Sequence, residues 1–111
     1  MNCLSHYRIM WLFAFFDLPV TTKDQRKSAT QFRQHLLDLG FQMVQFSVYS
    51  KVCPSKEKVE YVVKKISYRL PQNGKVDLLT ITDKQFGNIV SFRGKYDEAL
   101  PKKNQQLLLF E

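Results

Sequence analysis

Cysteine is scarce in this chain, and the two that occur, Cys3 and Cys53, stand apart with no CxxC pair and no Cys/His cluster around them. A disulfide framework and a structural zinc site are both unsupported by that spacing. Histidine is as thin: His6 and His35 match no metal-ligand or triad spacing, and His35 falls in a helical pattern and reads as a surface residue. Acidic side chains are also in deficit, 10 against 17 basic ones, which leaves a formal charge of +7. For a small domain this balance favours a polyanionic partner, nucleic acid ahead of a membrane surface, over the alternative of a merely soluble basic protein. Long hydrophobic runs are missing too. The longest, Ile9 to Phe16, is too short to span a bilayer. It lacks a basic n-region and a small-residue cleavage site, so no signal peptide is read and a cytoplasmic protein is expected. No internal repeat or low-complexity tract interrupts the chain. What is present is enough for one core: 111 residues, 44% hydrophobic and 14% aromatic, exclude a disordered chain and fit a single domain.

The apolar run itself organises the rest. Ile9-Met10-Trp11-Leu12-Phe13-Ala14-Phe15-Phe16 is followed by Asp17-Leu18-Pro19. A short, aromatic-rich run stopped by proline reads as a strand buried on both faces. Asp17 then stands where the strand leaves the sheet, and Pro19 prevents further ladder pairing. A carboxylate at the lip of so apolar a strand costs free energy unless something binds it, which makes Asp17 the first functional candidate. A turn-forming Asp before proline is the competing reading.

Downstream, Thr22 and Gln25 have capping-box spacing, Ala29, Phe32, Leu36 and Leu39 recur at helical intervals, and Gly40 suits a C′ position. A first helix is predicted from about Lys23 to Leu39. Phe41 to Val52 reads as an extended segment. Val44, Phe46 and Val48 alternate there with Gln45, Ser47 and Tyr49, and a slip between Met43 and Val44 signals a bulge or two successive short strands. Ser55 caps a second helix with the stripe Val59, Val62, Val63, Ile66 and Leu70, ended by Pro71. Gln72-Asn73-Gly74 is a turn, Lys75 to Thr82 a strand apolar on both phases, Asp83 to Gly87 a reversal, and Asn88 to Arg93 a returning strand. Gly94 to Lys103 is a polar connector before a last strand, Gln106 to Phe110. The chain thus divides into an N-terminal tail (1–8), a domain (9–94), and a connector with C-terminal strand (95–111).

Two helices on one face of a mainly antiparallel sheet make an α+β sandwich, most economically a ferredoxin-like fold. The sheet's second face is then bare although its strands are apolar on both sides. Self-association through that face, as a two-fold homodimer, is the expected cover, with the tail strand adding to a sheet edge. A two-fold axis beside the first strand would pair two Asp17 carboxylates, enough to hold a hydrated Mg²⁺ or Mn²⁺ against a phosphodiester. Asp77, inside a strand, and Asp83, opening a turn, read as structural. Ser47 and Tyr49, on the polar phase of the second extended segment, are candidates to hydrogen-bond phosphate or water, against simple sheet packing. Arg26, Lys27, Arg33, Lys64, Lys65 and Arg69 form the candidate nucleic-acid surface, neutralising phosphates without reading bases. Arg26 and Lys27, close to the end of the first strand, are also placed to guide a phosphate toward Asp17.

Phe16-Asp17-Leu18-Pro19 after an apolar strand, a helix bearing Arg26 and closing at Gly40-Phe41, then Val44-Gln45-Phe46-Ser47-Val48-Tyr49 and the strand from Lys75 to Thr82, together resemble the Cas2 family of small CRISPR-associated proteins. The likeness runs from about Met10 to the tail, and the Phe32-Arg33 helix and the Gln45-to-Tyr49 strand are most similar to members from type II loci. The resemblance implies a ferredoxin-like homodimer with a metal-binding aspartate at the end of the first strand, here Asp17. It further implies a metal-dependent endoribonuclease, sometimes a DNase, that bridges CRISPR integrase dimers and holds a protospacer duplex during spacer acquisition. One departure is Met43, just before the Val-Gln pair, where several members carry a basic residue; the resemblance carries over no catalytic contact there. Two further readings stay open: a toxin-like ribonuclease on the same scaffold with no integrase partner, and a non-catalytic RNA-binding sheet. The second needs exposed aromatics on middle strands, whereas the aromatics here cluster in a strand that reads as buried.

Overall fold

Residues 8–94 are described by a computed structural model. Its elements, in chain order, are β1 (Met10–Asp17), α1 (Lys23–Asp38), β2 (Gln42–Gln45), β3 (Val48–Cys53), α2 (Lys56–Ser67), β4 (Lys75–Thr82) and a short α3 (Asp83–Gly87). The four strands form one sheet in the order β2-β3-β1-β4, every neighbouring pair antiparallel. Two split β-α-β units interleaved in this way are the ferredoxin-like arrangement. β1 is therefore an interior strand, paired with β3 from Met10 to Phe15 and with β4 from Met10 to Asp17.

Local chemistry accounts for the helices. Thr22 accepts from the Gln25 amide and Gln25 reaches back to the Thr22 amide, a complete capping box that satisfies two orphan donors. At the other end Gly40 adopts φ +97°, the Gly40 amide donates to the Leu37 carbonyl and the Phe41 amide to Leu36, the paired bonds of a Schellman stop. Ser55 caps α2 by accepting from the Lys58 amide. Helix α2 ends at Ser67, a turn earlier than the apolar stripe suggests, and Leu70 is exposed beyond it.

The register divides β1 into two faces. Met10, Leu12, Ala14 and Phe16 join Phe32, Leu36, Phe41, Tyr49, Cys53, Val59, Val62 and Ile66 in the core beneath the helices. Each large apolar side chain buried there is worth roughly 1.5–3 kcal/mol. Phe16 meets Phe32 edge-on at 5.4 Å and lies 5.4 Å from Tyr49. Trp11, Phe13 and Phe15 point the other way, alongside Ile81 and Leu79 of β4 and Val52 and Val48 of β3. That second face is not wholly bare. The α3 helix, held by its own capping box of Thr82 and Gln85, lays Phe86 flat on Trp11 at 3.7 Å, and the Trp11 indole donates to Asp83 Oδ1 at 2.8 Å. Phe15, Val52 and Leu79 stay exposed.

Several expectations are corrected. The extended segment before α2 takes the two-strand alternative, with a register shift between Met43 and Gln45 at the slip in the sequence, but the strands form an unforeseen hairpin through a turn at Phe46–Ser47, with Gln45 opposite Val48. Period-two alternation ran straight across that turn, so Tyr49, read as polar-phase, lies in the core. Asp83–Gly87 is helical, and residues 88–94 form no strand. His35 is half-buried, not a surface residue. The C-terminal strand and residues 1–7 lie outside the described residues. Among the described residues no helix is long and apolar enough to cross a membrane.

Candidate active site

Asp17 is the last residue of β1 and continues the series Trp11, Phe13, Phe15 on the face away from α1 and α2. Pairing places Asp17 opposite Lys75 and Phe15 opposite Asp77, so the two carboxylates stand diagonally across neighbouring strands on one face. The hairpin turn closes the third side. The Phe16 amide donates to the Ser47 carbonyl at 3.1 Å, bringing Ser47 beside the end of β1. The result is a shallow pocket of about 260 Å³ lined by Phe15, Phe16, Asp17, Ser47, Val48, Lys75 and Asp77. Lys75 Nζ lies 3.5 Å from Asp77 Oδ2, with the two side chains 76% and 62% exposed. A pair so open to water contributes little to stability, which leaves the ammonium available to an incoming anion.

Gly74 fixes where Asp17 starts. It turns the chain into β4 at φ +98°, and a Cβ there would come within 2.6 Å of the Asp17 carbonyl oxygen and 2.8 Å of Leu18 Cδ2. Only a residue without a side chain lets the two backbones approach so closely.

Of the predicted site residues, the fold brings together Asp17 and Ser47. It adds Asp77, which reads as structural in the sequence, and Lys75, which carries no signal there. The strand register is what would have found them: residues opposite the end of β1 share its face. Tyr49 is on the other side of the sheet. The basic residues are dispersed on the helices or just beyond α2, behind the sheet as seen from Asp17. Arg26 donates through Nη1 to the Val20 and Thr21 carbonyls (3.2 and 3.1 Å), so it braces the loop before α1 instead of reaching Asp17. Arg33 donates to Thr30 Oγ1 at 3.1 Å. Lys27 and Lys64 are exposed. Lys65 and Lys58, both half-buried, flank the exposed Tyr61 ring on α2 at 5.5 and 4.8 Å. Arg69 borders a separate cavity of about 450 Å³ shared with His35 and Asp38. His35 Nε2 lies 3.1 Å from the Lys65 carbonyl and links the two helices.

The donors at the pocket are carboxylate and hydroxyl oxygens, the set that suits a hard divalent cation such as Mg²⁺ or Mn²⁺. Among the described residues no three or more His, Cys, Asp or Glu side chains gather closely enough to hold an ion. The carboxylates of this pocket therefore suit such a cation in kind but fall short of a full ligand set in number. Among the described residues the one cysteine, Cys53, is fully buried, and burial pushes its thiol pKa up against the lowering effect of Lys51 and Lys58.

The family model for CRISPR associated protein Cas2 matches residues 10–89, from the first residue of β1 to just past α3. A CRISPR-associated endoribonuclease Cas2 of Flavobacterium psychrophilum is 48% identical over 107 residues, 96% of this chain and 93% of that protein. The protein of the same name from Paracidovorax avenae is 46% identical over 107 residues, covering 96% and 99%. That of Streptococcus mutans is 33% identical over 99 residues, covering 89% and 91%.

Proposed function

The chain belongs to the CRISPR-associated Cas2 family, and from that premise we propose that it is a metal-dependent endoribonuclease working at Asp17 and the nucleic-acid-binding subunit of a spacer-integration complex. The observation that carries the catalytic part is the convergence of Asp17, Asp77, Lys75 and Ser47 on one pocket at the end of an interior strand. Asp17 and Asp77 are the residues that would hold Mg²⁺ or Mn²⁺, joined by a second Asp17 when two copies associate through the open half of the sheet. Such an ion, when bound, would supply charge stabilisation at the phosphate oxygens and a more acidic water. The Lys75 ammonium attracts the phosphodiester and offsets its charge beside two carboxylates. The Ser47 hydroxyl is placed to hydrogen-bond a phosphate oxygen or water. Because Asp17 ends an interior strand and is itself paired with Lys75 of β4, it is oriented before substrate arrives, the arrangement that makes a fixed charge effective.

Homodimer formation is supported by the exposed apolar trio Phe15, Val52 and Leu79 on the face that carries Asp17. The helix cations serve a different task. Lys27, Lys64, Lys65 and Arg69, with Arg26 and Arg33 in bracing roles, meet the backbone of a protospacer duplex while the CRISPR integrase binds alongside. Such contacts weaken steeply with salt and show little sequence preference.

The test is Asp17→Asn, compared with wild type for Mg²⁺-dependent cleavage of single-stranded RNA, alongside circular dichroism, light scattering and an integration assay with the neighbouring integrase. Cleavage should vanish while folding, association and integration persist. Undiminished cleavage by the variant would remove Asp17 from the chemistry.

A further inference from the structure

The turn that joins β2 to β3 carries a residue that its local structure does not account for. Phe46 sits at the tip of a two-residue connection, between Gln45 and Val48, and is 74% exposed. Tight turns ordinarily carry Gly, Asn, Asp or Ser, and an aromatic there has neither turn chemistry nor packing to explain it. The following residue is strained: Ser47 adopts φ +64° without being glycine. A left-handed conformation of this kind costs of order 1–3 kcal/mol and persists only where its surroundings enforce it. Here the enforcing contact is the Phe16 amide on the Ser47 carbonyl, one residue before Asp17. Phe46 is thus fixed next in the chain to Ser47, which lines the pocket that contains Asp17, Lys75 and Asp77.

We propose that Phe46 is a base-stacking platform that positions an unpaired nucleotide next to the phosphodiester presented to Asp17. This rests on the reading of the pocket as a ribonuclease site and adds what that reading lacks, a means of selecting unpaired over paired strands. An exposed ring beside a phosphate-binding pocket matches the repeat of a single strand, in which each phosphate is followed by a base with a free π-face. Within a duplex the bases are stacked on one another and offer no face to the ring. Stacking is sequence-tolerant, so the platform discriminates by strandedness and not by base identity.

The experiment measures binding alone, in excess EDTA, so that its outcome is independent of whether Asp17 cleaves. A fluorescein-labelled single-stranded RNA of mixed sequence, and the same strand annealed to its complement, are titrated with wild type, Phe46→Ala, Phe46→Leu and Phe46→Trp. Loss of one stacked base predicts about tenfold weaker single-strand binding for Phe46→Ala. Phe46→Leu should be nearly as weak, Phe46→Trp as tight as wild type or tighter, and duplex binding should be the same for all four. Equal single-strand affinity for Phe46→Ala and wild type would overturn the proposal. So would full retention by Phe46→Leu, which would make the contact merely apolar, or dissociation of a dimer by Phe46→Ala in light scattering, which would make Phe46 an interface residue. Failure of Asp17→Asn to abolish cleavage would instead strike the catalytic reading and leave this binding result standing.

Discussion

Replacing Gly74 with alanine perturbs the one close approach that fixes the backbone of Asp17. Two costs add. Forcing an alanine to φ +98° costs about 1–2 kcal/mol, because its Cβ crowds the following carbonyl. The same Cβ would lie 2.6 Å from the Asp17 carbonyl oxygen, 2.8 Å from Leu18 Cδ2 and 3.0 Å from Leu18 Cα, and two of these three are main-chain atoms that cannot rotate away. Relieving an overlap of that kind by moving backbone costs roughly 1–3 kcal/mol more. The sum, about 2–5 kcal/mol, corresponds to a Tm lower by roughly 10–20 °C or more for a domain of this size. Two companion variants calibrate the reasoning. Gly40 has the same left-handed backbone at φ +97°, but a Cβ there meets only the flexible end of Lys51, so Gly40→Ala should lose only the conformational part. Gly87 has nothing within 4 Å, and Gly87→Ala in α3 should be neutral or slightly stabilising. The assay is thermal unfolding by circular dichroism at one fixed protein concentration, since association shifts Tm by mass action. A Gly74→Ala protein that melts together with Gly40→Ala would refute the claim that the Asp17 backbone is held by this contact.

Two further outcomes are expected. Phe86→Ala removes the ring stacked on Trp11; it should cost about 1–3 kcal/mol and shift emission of the single tryptophan to the red, and an unchanged spectrum would mean that α3 does not cover that face in solution. The Cys53 thiol, raised by burial, should resist alkylation in the native protein at neutral pH and react on unfolding. Because the folded state disfavours the thiolate, its contribution to stability is complete below the unfolded thiol's ordinary pKa and is lost as pH rises above it. A urea midpoint that is flat across that alkaline range in wild type and falls in Cys53→Ala would contradict the assignment.

Much of this architecture is legible in the residues because the punctuation is conventional. Thr22 with Gln25, Gly40, Ser55 and Gly74 each mark a boundary where the structure has one, and β1 carries apolar residues on both phases as an interior strand does, whereas β4, equally apolar on both phases, is an edge strand with no buried residue. The hairpin is hidden for the opposite reason. Phe46 lacks the usual turn chemistry, Ser47 alone is a weak signal, and their alternation with Val44 and Val48 imitates an unbroken strand. The α3 helix reads as a mere reversal in the sequence, because five residues are too few to show a helical period, although Thr82 and Gln85 cap it at the same spacing that opens α1. Asp17 was found through its own awkward position. Asp77 and Lys75 became part of the pocket only through the register of β4 against β1, which no local pattern encodes.

That register has a consequence for how the molecule fails. Residues 10–15 are laced to a neighbour on each side, so their amides exchange with solvent only when the entire sheet comes apart. The other walls of the pocket hang from two short bends, at residues 46–47 and 72–74, and connections of this kind are expected to open at lower free energy than a central strand. Warming or mild urea should therefore silence the protein while its middle strand is still protected, and the gap between those two thresholds measures how much of the pocket is borrowed from its turns.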